Sequence, residues 1–365
     1  MTIGEIISAL EKFAPLHLQE DYDNAGLITG NASSACTGVL LSLDATDEVV
    51  QEAIRRNCNL IIAHHPIVFK GLKKFNGKNY VERAIIAAIK NDIAIYASHT
   101  NIDNVIHGVN GKMADKLELI HRRILAPKAG LICKLQLYIP QNHVAQMENT
   151  LFEAGAGHIG NYSECSFVSE GIGSFKPEDG AQPFVGSLGD RHTEKETKIE
   201  MIFPIWLKNK VLNAMKDAHP YEEVAYEITS LENINQQTGA GIIGEWQEAL
   251  YERDAMEKIK SVFGLQVIRH TPFTGKKIKK LAICGGAGSF LTKTAIAQGA
   301  DMLITADVKY HEFFDAEGRL ILADIGHFES ERYTIDLFAD VLRQKFPNFA
   351  LLKSEVNTNP VQYFL

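Results

Sequence analysis

The residues of this sequence that are best suited to chemistry are histidines and carboxylates at the ends of hydrophobic runs. His64 and His65 end the run NLIIAHH (59–65), and Pro66 stops regular strand pairing directly after them. Adjacent strand residues normally point to opposite faces of a sheet, so two neighbouring histidines reach one site only where the strand ends or bulges. The proline provides that release, so we expect both imidazoles at one site.

Two further hydrophobic runs end in residues of the same class. The run IAIYASHT (93–100) leads to Asp103, and RLILADIG (319–326) leads to His327 and Glu331. If a helix begins near His327, then His327 and Glu331 lie one turn apart on the same helix face. Ligands of open α/β sheets bind at the carboxyl ends of the strands, and parallel strands bring those ends to one edge. The three strand ends therefore predict one shared site.

The side chains gathered there would be three imidazoles and two carboxylates. This set exceeds what a single tetrahedral catalytic zinc ion uses, and it suits two ions bridged by a carboxylate and a water molecule. Each residue also has a simpler interpretation: a hydrogen-bonded histidine at a strand end, Asp103 as a helix cap, or Glu331 as an acid in a first helical turn. The residues alone leave both interpretations open, and the recurrence at three strand ends favours the metal site.

A glycine-rich turn follows another hydrophobic run, KLAICGG (280–286). Residues Gly285, Gly286, Gly288 and Ser289 would expose backbone N–H groups that can hold a phosphate or another anion. The alternative is a tight strand-to-helix turn that needs small residues for packing, and the sequence supports both interpretations equally. The spacing matches neither a P-loop nor the dinucleotide-binding GxGxxG pattern.

Three other polar residues lie near these motifs without an assigned role. His99, His311 and Glu329 are candidates for groups that support the metal ligands or shuttle a proton. A histidine on a helix face explains His311 equally well. No residue is assigned as catalytic from the sequence.

Alternating strands and helices must position these residues. Nearly continuous apolar runs, separated by amphipathic segments, occur at 37–45, 59–65, 93–100, 280–286, 301–307 and 319–326. Such a pattern indicates a parallel sheet covered by helices on both faces. We therefore expect an α/β metal-binding domain with an N-terminal half, residues 1–127, and a C-terminal half, residues 233–365.

The middle of the chain follows a different pattern. Residues 128–232 read as two β-α-β passes, with YIP before one helix and IFP before the other. A β-α-β-β-α-β order is the ferredoxin-like split arrangement. The sequence thus predicts an α+β ferredoxin-like domain inserted into the α/β domain.

Composition excludes several classes of protein. The 365 residues carry a formal net charge of −8, which disfavours a general nucleic-acid binder. Charged residues or histidines interrupt every long apolar stretch, so no membrane span is expected. The 5 cysteines are scattered and odd in number, which favours a reducing compartment over a disulfide framework. We expect a cytoplasmic protein.

The motifs also resemble those of a known family. The resemblance rests on EDYDNAGL, IIAHHPIVF, SHTNID, ICGGAGSF, ADMLITADVKYHEFFDAE and DIGHFESE, in this order. They are similar to the motifs of the NIF-three family, dinuclear-metal-centre proteins often labelled GTP cyclohydrolase I type 2 homologues. Many members carry a middle insertion similar to the PII and CutA folds, which fits residues 128–232. One departure is Tyr22, where the family usually has Trp.

The resemblance implies specific roles and partners. It implies that the metal ligands are His64, His65, Asp103, His327 and Glu331. Glu331 would bridge two divalent ions, with His65 and Asp103 on one ion and His64 and His327 on the other. Zinc is the expected metal, and iron or manganese would also suit these ligands. The resemblance further implies a toroidal homohexamer, a trimer of dimers whose metal sites face an internal cavity.

Two functions fit these expectations. The first is a metal-dependent hydrolase that attacks a nucleotide or related small molecule through a metal-bound hydroxide. The GTP cyclohydrolase label would place that attack at C8 of the purine, although the sequence contains no recognisable guanine-reading motif. The second is a non-catalytic metal-binding regulator or scaffold whose inserted domain senses a ligand or partner.

Overall fold

The computed structural model describes residues 1–364. Within them the chain divides into two compact units, one formed by residues 1–127 with residues 236–364 and the other by Lys128–Asn235. No helix in these residues combines the length and the apolar character that crossing a membrane requires. The first unit is a mixed α/β structure and the second an α+β insertion, which confirms the predicted fold class.

The N-terminal segment of the first unit contains five strands and five helices. In chain order they are α1 (Ile3–Phe13), β1 (Gly26–Thr29), β2 (Val39–Ser42), α2 (Asp47–Arg55), β3 (Leu60–Ala63), α3 (Tyr80–Lys90), β4 (Ala94–Ala97), α4 (Thr100–Asp103), α5 (Val109–Lys116) and β5 (Ile120–Lys128). The C-terminal segment comprises β10 (Asn235–Leu250), α8 (Glu252–Phe263), β11 (Arg269–His270), β12 (Ile278–Ala287), α9 (Thr292–Ala297), β13 (Met302–Ala306), β14 (Ile321–Asp324), α10 (His327–Glu331), α11 (Thr334–Lys345) and β15 (Leu351–Lys353).

Each segment forms most of one sheet and contributes one strand to the sheet of the other segment. The first sheet has the order β1-β4-β3-β2-β15, in which β15 comes from the C-terminal segment. The second has the order β11-β14-β13-β12-β10-β5, in which β5 comes from the N-terminal segment. Strands β4, β3, β2 and β15 run parallel, as do β12, β13 and β14. The two segments are therefore one interlocked α/β unit rather than separate lobes.

Burial on both faces explains why the strands are continuous apolar runs. All four residues of β3 are buried. Leu60 and Ile62 pack in a core with α1 and α11, whereas Ile61 and Ala63 pack on the opposite face with α2 and α3. A strand covered on both sides has no polar face, so its polar residues lie beyond its ends. That constraint places the histidines and acids at the carboxyl edges.

The inserted unit has the predicted split β-α-β order. Its elements are β6 (Ile132–Pro140), α6 (Val144–Ala154), β7 (Phe167–Phe175), β8 (His192–Pro204), α7 (Lys208–Ala218) and β9 (Tyr226–Leu231). The sheet order β7-β8-β6-β9 is antiparallel throughout, which is the ferredoxin-like topology. Both helices pack on one sheet face, around Met147, Leu151, Val211 and Met215.

Candidate metal centre

The first group of ligand atoms surrounds His64, the residue after β3. Its ring is fully buried, and Nδ1 lies 2.9 Å from the backbone oxygen of Ser98. A carbonyl oxygen only accepts hydrogen bonds, so Nδ1 carries the proton and Nε2 keeps a lone pair. Nε2 faces Asp103 Oδ1 at 3.7 Å and Glu331 Oε2 at 3.6 Å.

Two of these atoms have no hydrogen-bond partner. His64 Nε2 and Asp103 Oδ1 are both buried, and no donor or acceptor satisfies either within the described residues. Leaving a buried polar atom unpaired costs about 1–3 kcal/mol. A cation between the imidazole nitrogen and the two carboxylates would satisfy both atoms at once, so this group fits a metal ion.

The second group joins His65, His327 and Glu331. His65 Nε2 and His327 Nε2 lie 2.9 and 3.0 Å from Glu331 Oε2 and 3.3 Å from each other. Neighbouring ligands of a tetrahedral zinc ion, bonded at about 2.0–2.1 Å, are separated by about 3.3 Å. The separations thus suit a second ion. Helix α10 begins at His327, which puts His327 and Glu331 one turn apart as predicted.

Glu331 belongs to both groups. The same oxygen, Oε2, faces His64, His65 and His327, and the side chain is 3% exposed. The ligand atoms of the two groups, His64–Asp103–Glu331 and His65–His327–Glu331, lie within 4.8 Å of one another in each case. A shared carboxylate between two sets of donors is the arrangement expected for two adjacent ions.

The grouping corrects the implied pairing of the ligands. The resemblance implied His65 with Asp103 and His64 with His327, but the structure gathers His64 with Asp103 and His65 with His327. The cause is local geometry. His64 is held inside the first sheet by the Ser98 carbonyl, next to the helix that carries Asp103. His65, released before Pro66, reaches the helix of the C-terminal segment instead.

Three of the imidazoles are hydrogen-bonded to a carboxylate through Nδ1. Nδ1 of His65 donates to Asp44 at 2.8 Å, Nδ1 of His327 to Asp307 at 2.7 Å, and Nδ1 of His99 to Asp23 at 2.8 Å. Such contacts fix the ring orientation and leave Nε2 as the ligand atom, as in carboxylate–histidine–metal triads. The motifs did not point to any of these three aspartates as a supporting residue. Asp44 and Asp307 follow β2 and β13, so the strand-end rule that found the histidines also applies to them.

Electrostatics makes the centre bind protons when no cation is present. Burial and the nearby Glu331 raise the pKa of Asp103 to about 8. Burial alone would lower the pKa of His65, but Asp44 and Glu331 raise it to about 10. The pKa of His327 is likewise raised, to about 9, by Glu331 and Asp307 against the effect of burial. Metal uptake must displace these protons.

His99 also lies at the centre. Its ring centroid is 5.3 Å from that of His64 and 5.5 Å from that of His65, and its ligand atom falls within 4.8 Å of theirs. The exposed ring of Phe69 lies 6.1 Å from His99. His99 is therefore positioned to contact a bound ion or a molecule beside it.

The other two supporting candidates lie in different contacts. Glu329 accepts a hydrogen bond from Asn359 at 3.1 Å, and His311 is exposed with its ring 5.2 Å from Tyr310. Neither belongs to a metal-binding group among residues 1–364. The same tail that holds Glu329 donates from Thr358 to Asp44, so it supports His65 indirectly.

The glycine turn packs beneath Glu331. The N–H groups of Gly285, Gly286 and Gly288 donate to the side chains of Asn110, Ser330 and Thr305 at 2.9, 3.0 and 2.8 Å. These three donors are therefore engaged within the protein, which favours the packing interpretation over the anion-binding one. The carbonyl of Ser289 accepts from Thr292 and closes the turn. A Cβ atom on Gly286 would overlap Glu331 Oε1, so this position needs glycine.

Comparison with known proteins agrees with this picture. The family model Duf34/NIF3 (NGG1p interacting factor 3) matches residues 1–360. Proteins named GTP cyclohydrolase 1 type 2 homolog are 36% identical in Bacillus subtilis and 37% identical in Halalkalibacterium halodurans, each over 98% of both chains.

Solved structures extend the match to three dimensions. A Bacillus cereus protein related to NIF3 superimposes with a TM-score of 0.87 at 37% identity, covering 100% of this chain and 99% of that one. A Staphylococcus aureus protein gives a TM-score of 0.79 at 30% identity with the same coverage. The likeness covers the inserted unit as well as the α/β unit. The chain therefore belongs to the Duf34/NIF3 family.

Proposed function

We propose that the chain is a hydrolase that uses two divalent ions, held by His64, Asp103 and Glu331 on one side and by His65, His327 and Glu331 on the other. The observation that carries this proposal is the pair of buried, unpartnered atoms, His64 Nε2 and Asp103 Oδ1. When bound, the ions would supply Lewis acidity and a water molecule acidified toward neutral pH. Mixed imidazole and carboxylate ligands favour zinc, iron or manganese.

The surface beside the centre supports an anionic substrate. The segment after Pro66 carries Lys70, Lys73, Lys74 and Lys78, all exposed in a chain of net charge −8. None of them forms an ion pair with another residue in the described part of the chain. Four ammonium groups on the segment that follows His65 and Pro66 in the chain would attract phosphates and concentrate an anionic substrate.

Aromatic side chains add a platform for a flat ring. Phe69 and Tyr22 are 45% and 67% exposed, and their ring centroids are 6.4 Å apart. Phe69 also lies beside His99, so a base stacked on it would put its polar edge near the imidazoles. Phosphates on the lysines and a base on the aromatics together describe a nucleotide, which agrees with the name that the relatives carry.

The chain's own residues would then orient the reaction. The carboxylates of Asp44, Asp307 and Asp23 hold three imidazoles with Nε2 toward the centre. His99 Nε2 would accept or donate a hydrogen bond to the substrate, since Asp23 holds its other nitrogen. These fixed positions remove the cost of reorganising the site during the reaction. A homohexamer would enclose the centres, as the resemblance implies.

The decisive experiment combines metal analysis with a substrate screen. We would quantify the metal in the purified full chain and then assay GTP, other nucleotides and phosphodiesters. Asp103→Asn is the test variant because it keeps the shape and removes the charge. Asp315→Asn is its control, because Asp315 is exposed and its side chain has no hydrogen bond or ion pair in the described residues. We expect metal-dependent turnover that Asp103→Asn abolishes and the control keeps.

The other outcomes separate the alternatives. Two bound ions with no turnover on the whole panel would contradict the hydrolase and favour a non-catalytic metal-binding regulator. A chain that holds no stoichiometric metal after incubation with zinc, iron or manganese would contradict both functions. Turnover that persists after chelation and in Asp103→Asn would place the activity outside this centre.

A further inference from the structure

A second candidate binding site lies in the inserted unit, apart from the metal centre. Its cavity of about 680 Å³ is bounded by the edge strand β7, the segment 176–184 and the turn that begins at Tyr221. The floor is formed by Tyr138, Glu196 and Lys198, which project from β6 and β8. Small-molecule sites usually measure about 300–1,000 Å³. The volume therefore suits a small organic ligand.

Aromatic rings form one wall of this cavity. The ring centroid of Tyr221 lies 6.3 Å from that of Phe175 and 6.0 Å from that of Phe184. Phe184 remains 55% exposed although it borders the cavity, which leaves much of its apolar surface uncovered. Aromatic faces carry partial negative charge and attract cations as well as apolar groups.

The charged side chains around the cavity also favour a cation. Five glutamates line it, Glu170, Glu178, Glu196, Glu222 and Glu223, against the two lysines Lys176 and Lys198. Lys198 is already paired with Glu200, at 3.2 Å, which reduces its positive field further. The lining therefore repels anions and attracts a cation.

Glu196 is the acid of this lining that meets the glycine of the edge strand. Its carboxylate lies across Gly173 of β7, where a Cβ atom would overlap it. Burial and this nearby carboxylate together raise the pKa of the Tyr221 hydroxyl. The glycine thus gives the carboxylate access to the cavity floor. A cation that enters between the rings would meet this carboxylate at the base of the site.

The cavity is held open by its own backbone contacts. The N–H of Gln182 donates to Glu222 at 2.7 Å, and the N–H of Gly189 donates to the Pro177 carbonyl at 2.9 Å. The first bond fastens the segment 176–184 to the turn that begins at Tyr221, and the second closes the loop that contains this segment. A preformed site loses less conformational freedom on binding than one that must close around its ligand.

We propose that the inserted unit binds a small organic cation, an amine or quaternary ammonium compound with an apolar body, between Phe175, Phe184 and Tyr221 and above Glu196. The proposal is independent of the metal centre and of the hydrolase. It gives the inserted unit a ligand of defined chemistry, which a regulatory role of this unit would require.

Calorimetric titration of the full chain with benzyltrimethylammonium tests the proposal. We expect saturable binding by the unmodified chain and about tenfold weaker binding by Phe184→Ala and by Glu196→Gln, because each loses one cation contact. The matched controls are Phe167→Ala, an exposed aromatic at the start of β7 and outside the cavity, and Glu153→Gln on α6. Both should bind as the unmodified chain does. Thermal unfolding of each variant verifies that the inserted unit stays folded.

Further measurements sharpen the result. Gly173→Ala keeps every charge but displaces the Glu196 carboxylate, so we expect it to weaken binding as Glu196→Gln does. Benzyl alcohol, which has the same ring and no charge, should bind far more weakly than benzyltrimethylammonium. No saturable binding of benzyltrimethylammonium would overturn the proposal. Binding by Phe184→Ala and Glu196→Gln as tight as that of the unmodified chain, or preferential binding of ATP at this cavity, would overturn it as well.

Discussion

His64 Nε2 and Asp103 Oδ1 face each other at 3.7 Å, both buried and both without a hydrogen-bond partner among residues 1–364. Two buried polar atoms that lie this close together without a hydrogen-bond partner mark a position that a cation would fill. Glu331 closes the same position from the opposite helix. Substitution of His64 or Asp103 is therefore the most direct test of whether two ions bind.

Asp103→Asn should lower the metal content from two ions to one per chain. The substitution preserves the shape and removes the charge that would hold the ion beside His64, whereas the group of His65, His327 and Glu331 is left intact. Elemental analysis after equilibration with excess zinc gives the stoichiometry. Retention of two tightly bound ions would show that Asp103 is not a ligand.

Metal affinity should fall steeply as the pH falls. The pKa values of His65 and His327 are raised to about 10 and about 9, so below pH 9 both rings carry protons that the ion must displace. For an ion held by His65, His327 and Glu331, two displaced protons correspond to about a hundredfold loss of affinity per pH unit. The ion beside Asp103 would also displace the Asp103 proton below about pH 8. Competition with a chelator between pH 6 and 8 measures the slope. A pH-independent affinity over that interval would contradict this assignment of protons.

Asp307→Asn should weaken metal binding without unfolding the chain. Asp307 is exposed and accepts the Nδ1 proton of His327, so its carboxylate orients the ring and increases its basicity. Loss of such a carboxylate typically costs 10–100-fold in metal affinity. Asp315→Asn provides the matched control, because Asp315 is exposed on the neighbouring 3₁₀ helix, Tyr310–Ala316. The two variants should share one melting temperature without metal and differ in its rise with zinc.

The candidate ligands come together in the structure because one physical rule governs their positions. Strands buried on both faces have room for polar side chains only at their ends, and His64, Asp103 and His327 all follow that rule. The exchange of β5 and β15 between the two sheets could not be predicted, because strand order depends on tertiary pairing that no local pattern encodes. The pairing of ligands failed for a related reason: which way His65 turns after its strand depends on contacts with α10.

The glycine turn is a second case in which the sequence does not reveal the tertiary contacts. Its spacing predicts a tight turn but not what satisfies its N–H groups, since Asn110, Ser330 and Thr305 are distant in sequence or on other elements. An anion-binding loop and a packing turn therefore look alike in the sequence. Only the tertiary donors and acceptors distinguish them.

Gly286→Ala should disturb the metal centre more than it disturbs the fold. Its φ of +61° costs any side chain about 1 kcal/mol, and the new Cβ would overlap Glu331 Oε1. Gly299→Ala is the control, because Gly299 has a φ of +73° and no atom near its Cβ position. Both variants should lose similar conformational stability from backbone strain, but only Gly286→Ala should lose bound metal. Equal metal contents in Gly286→Ala and Gly299→Ala would show that Glu331 can move aside and still bind metal.

Phe69→Ala should raise the KM for a nucleotide and leave the metal content unchanged. Phe69 is exposed beside His99 and Tyr22, so its loss removes a stacking surface worth about 1–3 kcal/mol per base and no metal ligand. That energy corresponds to a KM about 5- to 150-fold higher, with kcat little changed if the ring only binds. Phe75→Ala is the control, since Phe75 is 58% exposed on the same segment and has no ring contact with the histidines among the described residues. Because the phosphates would still meet the four lysines, the loss should be larger for a nucleotide than for inorganic triphosphate. An equal rise in KM for the nucleotide and for inorganic triphosphate would show that the base does not stack on Phe69.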